Sequence, residues 1–270
     1  MKTICRIATV LTFFIFAVGC TKDDASHKQI IQTTKDGSVL FEEAAVNHSL
    51  GLEYIYNSLV SSQLDSSLVL DTNSYNNLLN FVKIKTHSFL LGLGNTFIQN
   101  NESLVLDWTD YSFTWIVKQQ NDHLLYDSIV ADSLTNKQKE LLRELSLAVY
   151  DVNIGYDSTL SVFEHIRERS YQTCNDEELI AMLAAVEIGE ASLTYWYSNY
   201  DKWNNIFPSR LKSWFNWKEL LGRDIEGAVT GAVTGFVTSG ISGAGAGALA
   251  GGLGASAGSA ALQLYHHWID

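Results

Sequence analysis

The chain has 270 residues, 46% of them hydrophobic and 18% charged, with a formal net charge of −12. That length supports one large core or two modest ones, and the apolar content argues against a disordered chain. The acidic balance argues against nucleic acid as a partner, because phosphate recognition needs a basic face.

The first twenty residues have the layout of an export signal. Lys2 and Arg6 form a short positive region, 7–18 is an apolar run, and Ala17-Val18-Gly19 places small residues before Cys20. A run of twelve residues falls short of the ~20 that a bilayer-spanning helix needs. Of the three cysteines, Cys5 leaves with the signal. With Cys20 modified, Cys174 has no disulfide partner in the mature chain, so stability must come from packing. No motif surrounds Cys174, which reads as a small buried or capping residue.

The placement of Cys20 resembles the lipobox of bacterial lipoproteins, although Ala17 stands where leucine is more usual. In that family the cysteine is acylated and becomes the first mature residue. Thr21-Lys22-Asp23-Asp24 resembles the surface-export signal of Bacteroidota lipoproteins. Together these resemblances imply a signal peptide over 1–19, a palmitate-type anchor at Cys20, and an outer-membrane protein displayed at the cell surface. Loss of Lys2 and Arg6 would take the net charge from −12 to −14. Acyl chains suffice for stable attachment, so membrane contact through the lipid requires nothing else of the chain.

Residues 20–38 read as a polar lipidated tether, and 39–221 as a helical domain. From Phe41, apolar residues and His48 recur at spacings of three and four through Leu52, Ile55 and Leu59, a helical stripe. A Ser/Asp/Asn-rich loop is expected over 61–74 and a second helix over 75–91, ending near Gly92 or Gly94. The stretch 95–130 has β-type composition in places, but its run lengths suit buried helix equally; helix is expected. Thr135 with Gln138, and Asn175 with Glu178, form capping boxes that open two helices, the second running from 176 to about 200. Asp157 is expected to cap a helix between them, and Pro208 to open one over 208–221. No segment sustains period-two alternation, so the fold class is all-α.

Residues 222–270 differ from everything before them. Eleven glycines fall between Gly227 and Gly258, and no Asp, Glu, Lys or Arg occurs between Glu226 and Asp270. Small residues occupy every fourth position: Gly227, Gly231, Gly235, Ser239, Gly243, Gly247, Gly251, Ala255 and Ser259. Such spacing lets helix backbones approach closely. Each four-residue step rotates the row by ~40°, so one straight helix cannot present all nine positions to one partner. A helical hairpin can, with its turn expected near 239–243 or else near 251–252. The segment resembles the glycine-zipper regions of membrane-inserting proteins, including small pore-forming bacteriocins and some Gram-negative outer-membrane lipoproteins. That resemblance implies membrane insertion or self-association. Trp214, Trp217, Tyr265 and Trp268 flank the segment and are expected at a membrane interface. The competing reading makes the hairpin the close-packed centre of the helical domain and the aromatics ordinary core.

No catalytic, cofactor or metal motif stands out. Gly245-Ala246-Gly247-Ala248-Leu249-Ala250 matches G-x-G-x-x-A but follows no strand. Glu164-His165-Ile166-Arg167-Glu168 lacks the second Glu-x-x-His of a di-iron bundle, and His266-His267 lacks a further ligand nearby. Glu190 is the single candidate catalytic acid, placed by helical spacing on the inward stripe with Leu183, Val186, Leu193 and Tyr197. The reading is therefore a non-enzymatic surface lipoprotein whose hairpin acts on a membrane, on another copy or on an outer-membrane partner. A structural docking lipoprotein is the alternative, and a hydrolase using Glu190 the more distant one.

Overall fold

The computed structural model describes residues 26–64, 75–118, 125–126, 128–206 and 215–269. It comprises α1 (Ser26–Leu64), α2 (Tyr75–Gly92), α3 (Thr96–Asn100), α4 (Glu102–Lys118), α5 (Ser128–Ala131), α6 (Asn136–Tyr150), α7 (Tyr156–Thr173), α8 (Asp176–Asn204) and α9 (Trp217–Ile269). No strand occurs among the described residues, so the protein is all-α. Helix α1 begins at Ser26, inside the stretch expected to be tether. Residues 26–38 are polar but contain no proline, and Lys and Gln extend a helix about as well as Leu does. Thr135 and Asn175 close complete capping boxes with Gln138 and Glu178. Asp157 is not the cap of α7. Gly155 takes the N-cap position, and Asp157 lies in the first turn, where its charge suits the helix dipole. Residues 65–74 and the expected helix start at Pro208 lie outside the described residues, and the final helix opens at Trp217.

The centre of the fold is α9, which is two helices joined at a break. Ser239 and Gly240 leave helical geometry, and Gly240 has φ of +69°, a left-handed conformation that side-chain-bearing residues rarely adopt. The first arm, 217–238, and the second, 241–269, fold back on each other around this point. Gly227 packs on Gly251 and Ala255, Gly231 on Gly247, and Gly235 on Gly243. These pairs are symmetric about Ser239, whose own Cβ lies against Gly243. A methyl group at Gly231 would fall on the Gly247 carbonyl oxygen, and one at Gly247 on that of Gly231, both far inside van der Waals contact.

Other helices enclose this hairpin. Along the second arm runs α1, parallel to it, with Leu40 beside Gly245 and Leu253 beside Gly51. Helix α4 lies on a further face, where Gly254 meets Thr109 and Gly258 meets Phe113. Against the first arm lies α8, with Gly189 close to Ile225. Outside α8, a second apolar cluster joins Leu142 and Leu145 of α6 and Phe163 of α7 to Met182 of α8 and Ile225 of the first arm. Every residue from 220 to 232 and from 243 to 261 is buried. Trp196, Trp203 and Phe215 stack where α8 meets the base of the first arm, with ring centroids 5.2–6.2 Å apart. Trp196 and Trp203 are fully buried, so these aromatics belong to the core.

The glycines of α9 therefore divide into two kinds. The G231A variant forces the arms apart and is expected to lose ~3 kcal/mol or more, or to fail to fold. By contrast, a Cβ at Gly258 meets Phe113 at ordinary distances of 3.5–3.6 Å. G258A is expected to be neutral or stabilising by ~0.5–1 kcal/mol through helix propensity. Thermal melts of the two variants check the contrast.

Candidate functional site

Where α1, α8 and both arms of α9 meet, the core turns polar. His48, Ser192, Asp224 and Ser256 are all buried to 2% exposure or less. Asp224 Oδ2 accepts hydrogen bonds from Ser192 Oγ and from Trp196 Nε1, the latter at 2.8 Å. The imidazole Nε2 of His48 lies 3.7 Å from the same oxygen. Asp224 Oδ1, Ser256 Oγ and both ring nitrogens of His48 are buried without a well-formed hydrogen bond. Burial pushes the Asp224 carboxyl up to about 7, against the pull of Ser192, Ser256 and Trp196. Burial likewise pushes His48 down to about 3, with only a weak opposing contribution from the Gly252 backbone. Both groups are thus uncharged over most of the acidic range. Because both donors converge on Oδ2, the proton of the neutral acid belongs on Oδ1. Flanking Asp224 in the sequence, Arg223 Nη1 donates to Glu226 Oε2 at 3.0 Å, an ion pair that is also buried.

The polar cluster contains the residue types of a nucleophilic triad but not its arrangement. Ser192 donates to Asp224, not to His48, and the cluster is sealed from solvent. No base stands poised on the serine, so acyl-transfer chemistry does not follow.

Glu190 is half-buried, and Arg167 of α7 bridges it to Glu187 through Nη2–Oε2 at 2.7 Å and Nε–Oε1 at 3.1 Å. Desolvation raises Glu187 despite the guanidinium. These carboxylates edge an open groove of about 560 Å³ between α1 and α8, beside Glu42, Ser49 and Thr194. Tyr197, expected on the inward stripe, is exposed and stacks on Tyr156. Cys174 is half-buried at the C-cap of α7, with its thiol pushed up by burial, the opposite of an activated thiolate. No group of three metal-binding side chains occurs among the described residues.

Among the described residues the hairpin emerges from its enclosure at the turn and, at its far end, at His266. Val237 is 74% exposed, Thr238 and Ser242 are exposed, and Phe236, Gly240 and Ile241 are half-exposed. At the other end, Trp217 and Tyr265 are half-buried, with Trp217 against Tyr197. Two cations near this end, Lys218 and Arg223, lie inside and not at the surface. Lys218 donates to the Asp151 and Ile154 carbonyls, and Arg223 is buried. Trp214 and the Trp268 side chain, like Cys20, fall outside the described residues.

Comparison of the chain with protein-family models, with curated proteins and with solved structures yields no match. By length and composition, Asp176–Asn204 and Trp217–His266 are apolar enough to cross a membrane, a weak sign of membrane association that a core helix also gives.

The titration of the polar cluster has a definite sign. Unfolded, Asp224 ionises above its ordinary 3.8, but the folded protein keeps the proton to about 7, so its contribution to stability falls as pH rises across that window. His48 does the reverse: stability is lost as pH falls from 6.5 to about 3. Between roughly 4 and 6.5 the two slopes cancel. The cluster is therefore expected to contribute no net pH dependence to the melting temperature there. D224N should expose the His48 slope, with stability falling on acidification by up to ~1.4 kcal/mol per pH unit. H48Q should expose the opposite slope. Melts between pH 4 and 7 decide this, and equally flat profiles in both variants would refute it.

Proposed function

We propose that the protein is a lipid-anchored outer-membrane protein of the cell surface, non-enzymatic, whose glycine-zipper hairpin works in its packed state. In this reading the hairpin is a rigid spine that presents its turn to a membrane or to an envelope partner. The carrying observation is that the hairpin is buried along most of its length and, among the described residues, carries its exposed large apolar side chain, Val237, at the turn. A spanning hairpin is disfavoured by charge. The first arm is free of charge for only twelve residues before the turn, from Gly227 to Thr238, about 18 Å of helix against a ~30 Å hydrocarbon core. Extending the span toward Trp217 would bring Glu226, Asp224 and Arg223 into lipid. Enzymatic function is disfavoured by the sealed polar cluster and by the Arg167 bridge across Glu187 and Glu190.

A second reading, in which the hairpin leaves its shell and permeabilises a membrane, has one observation in its favour. The two arms are packed on each other through glycine and carry no charge from Gly227 to Ile269. A reversible lock separates the readings. The Cβ position of Gly245 lies 3.3 Å from that of Leu40, close to disulfide geometry. In a C174S background, the L40C/G245C pair should therefore oxidise and fasten the second arm to α1. The lipidated protein is expected to release no dye from vesicles, whether the lock is oxidised or reduced. Release that stops on oxidation and returns on reduction would establish the second reading.

A further inference from the structure

The direction of α1 relative to the hairpin fixes which end of the molecule faces the anchor. Leu40 lies beside Gly245, Gly51 beside Leu253, so α1 runs parallel to the second arm and away from the turn. Followed backward from Leu40, α1 passes the level of the turn and reaches Ser26, about 21 Å further along its axis. The turn at Gly240 stands about 8 Å beyond Gly245 on the same side. Only five residues separate Ser26 from Cys20. The exposed turn and the start of α1, separated from Cys20 by five residues in the sequence, therefore lie at one end of the bundle. The Lys218 base of the hairpin and the loop after α6, which holds Val152 at 83% exposure, lie at the other.

We infer that the turn, with Phe236, Val237 and Ile241, seats in the interfacial layer of the same bilayer that holds the Cys20 lipid. This rests on reading Cys20 as the anchor. The chemistry of the turn suits that layer. Its apolar side chains alternate with the hydroxyls of Thr234, Thr238, Ser239 and Ser242, which can meet headgroups and water. Thr238 Oγ1 also donates to the Thr234 and Gly235 carbonyls, leaving less backbone polarity to be desolvated at the end of the arm. No charged residue lies within ten positions of the turn in either direction, so its approach to lipid desolvates none of its own charges. The apolar segment is short, which matches shallow seating of ~5–10 Å and not a span.

Single cysteines at V237C and V152C, in the C174S background, take an environment-sensitive fluorophore at solvent-exposed positions that the fold does not depend on. The lipidated chain is reconstituted on phosphatidylethanolamine–phosphatidylglycerol vesicles that carry brominated lipids. The label at 237 is expected to shift to the blue and to be quenched at least twofold more than the label at 152. Adding V237D in a chain labelled at I241C should abolish most of that quenching. Equal quenching at 237 and 152, or stronger quenching at 152, overturns the seating while leaving the anchor intact. The mass of the mature N-terminus reports the anchor separately, and a chain without acyl groups at Cys20 overturns both.

Discussion

The fold depends on the approach of two helix backbones through Gly227, Gly231 and Gly235 on one arm and Gly243, Gly247 and Gly251 on the other. At that separation main-chain atoms touch where side chains would normally intervene, and dispersion contacts accumulate along the whole seam. Each of these glycines weakens its own helix by ~0.5–1 kcal/mol relative to alanine, so the arms hold their form through packing and not through propensity. A seam this close also makes the hairpin thin. Its outer faces, largely alanine and glycine, cannot form a core alone, and α1, α4 and α8 supply the larger side chains that complete it.

Such a surface offers few ridges to resist sliding. The polar cluster supplies direction where shape does not. Asp224 ties the first arm to α8 through Ser192 and Trp196, and His48 brings α1 to the same point. Hydrogen bonds of this kind lose their partners on a shift of one residue, whereas alanine against glycine tolerates it. Burying the acid and the imidazole is costly for each alone. Holding both in their neutral forms removes the charge that would make the site untenable.

Much of this was legible in the sequence. The four-residue row and its ~40° drift per step predicted a hairpin. Of the two turns expected, near 239–243 or near 251–252, the chain takes the first, reversing at Gly240. The capping boxes at Thr135 and Asn175 are local chemistry and were readable from three-residue spacing. What periodicity could not give is which surface covers the hairpin. Trp and Tyr beside an uncharged helix look the same whether they meet lipid headgroups or one another. Trp196 and Trp203 turn inward because α8 passes directly over the base of the first arm, a long-range fact. His48 sat in plain view on the apolar stripe of α1, and Asp224 three residues before the first zipper glycine. Each alone is an ordinary polar residue, and only the crossing of four helices makes them a pair.

In chain order, the spine of the molecule comes after the helices that pack on it. Helices α1, α4 and α8 carry faces shaped for a hairpin that comes after them in the chain, and α1 finds its partners some two hundred positions later. Until that segment arrives, α1 and α8 can pack on each other, as the Lys202–Glu53 ion pair shows, but their hairpin-facing sides stay uncovered. The order of elements thus delays completion of the core until the hairpin has been synthesised.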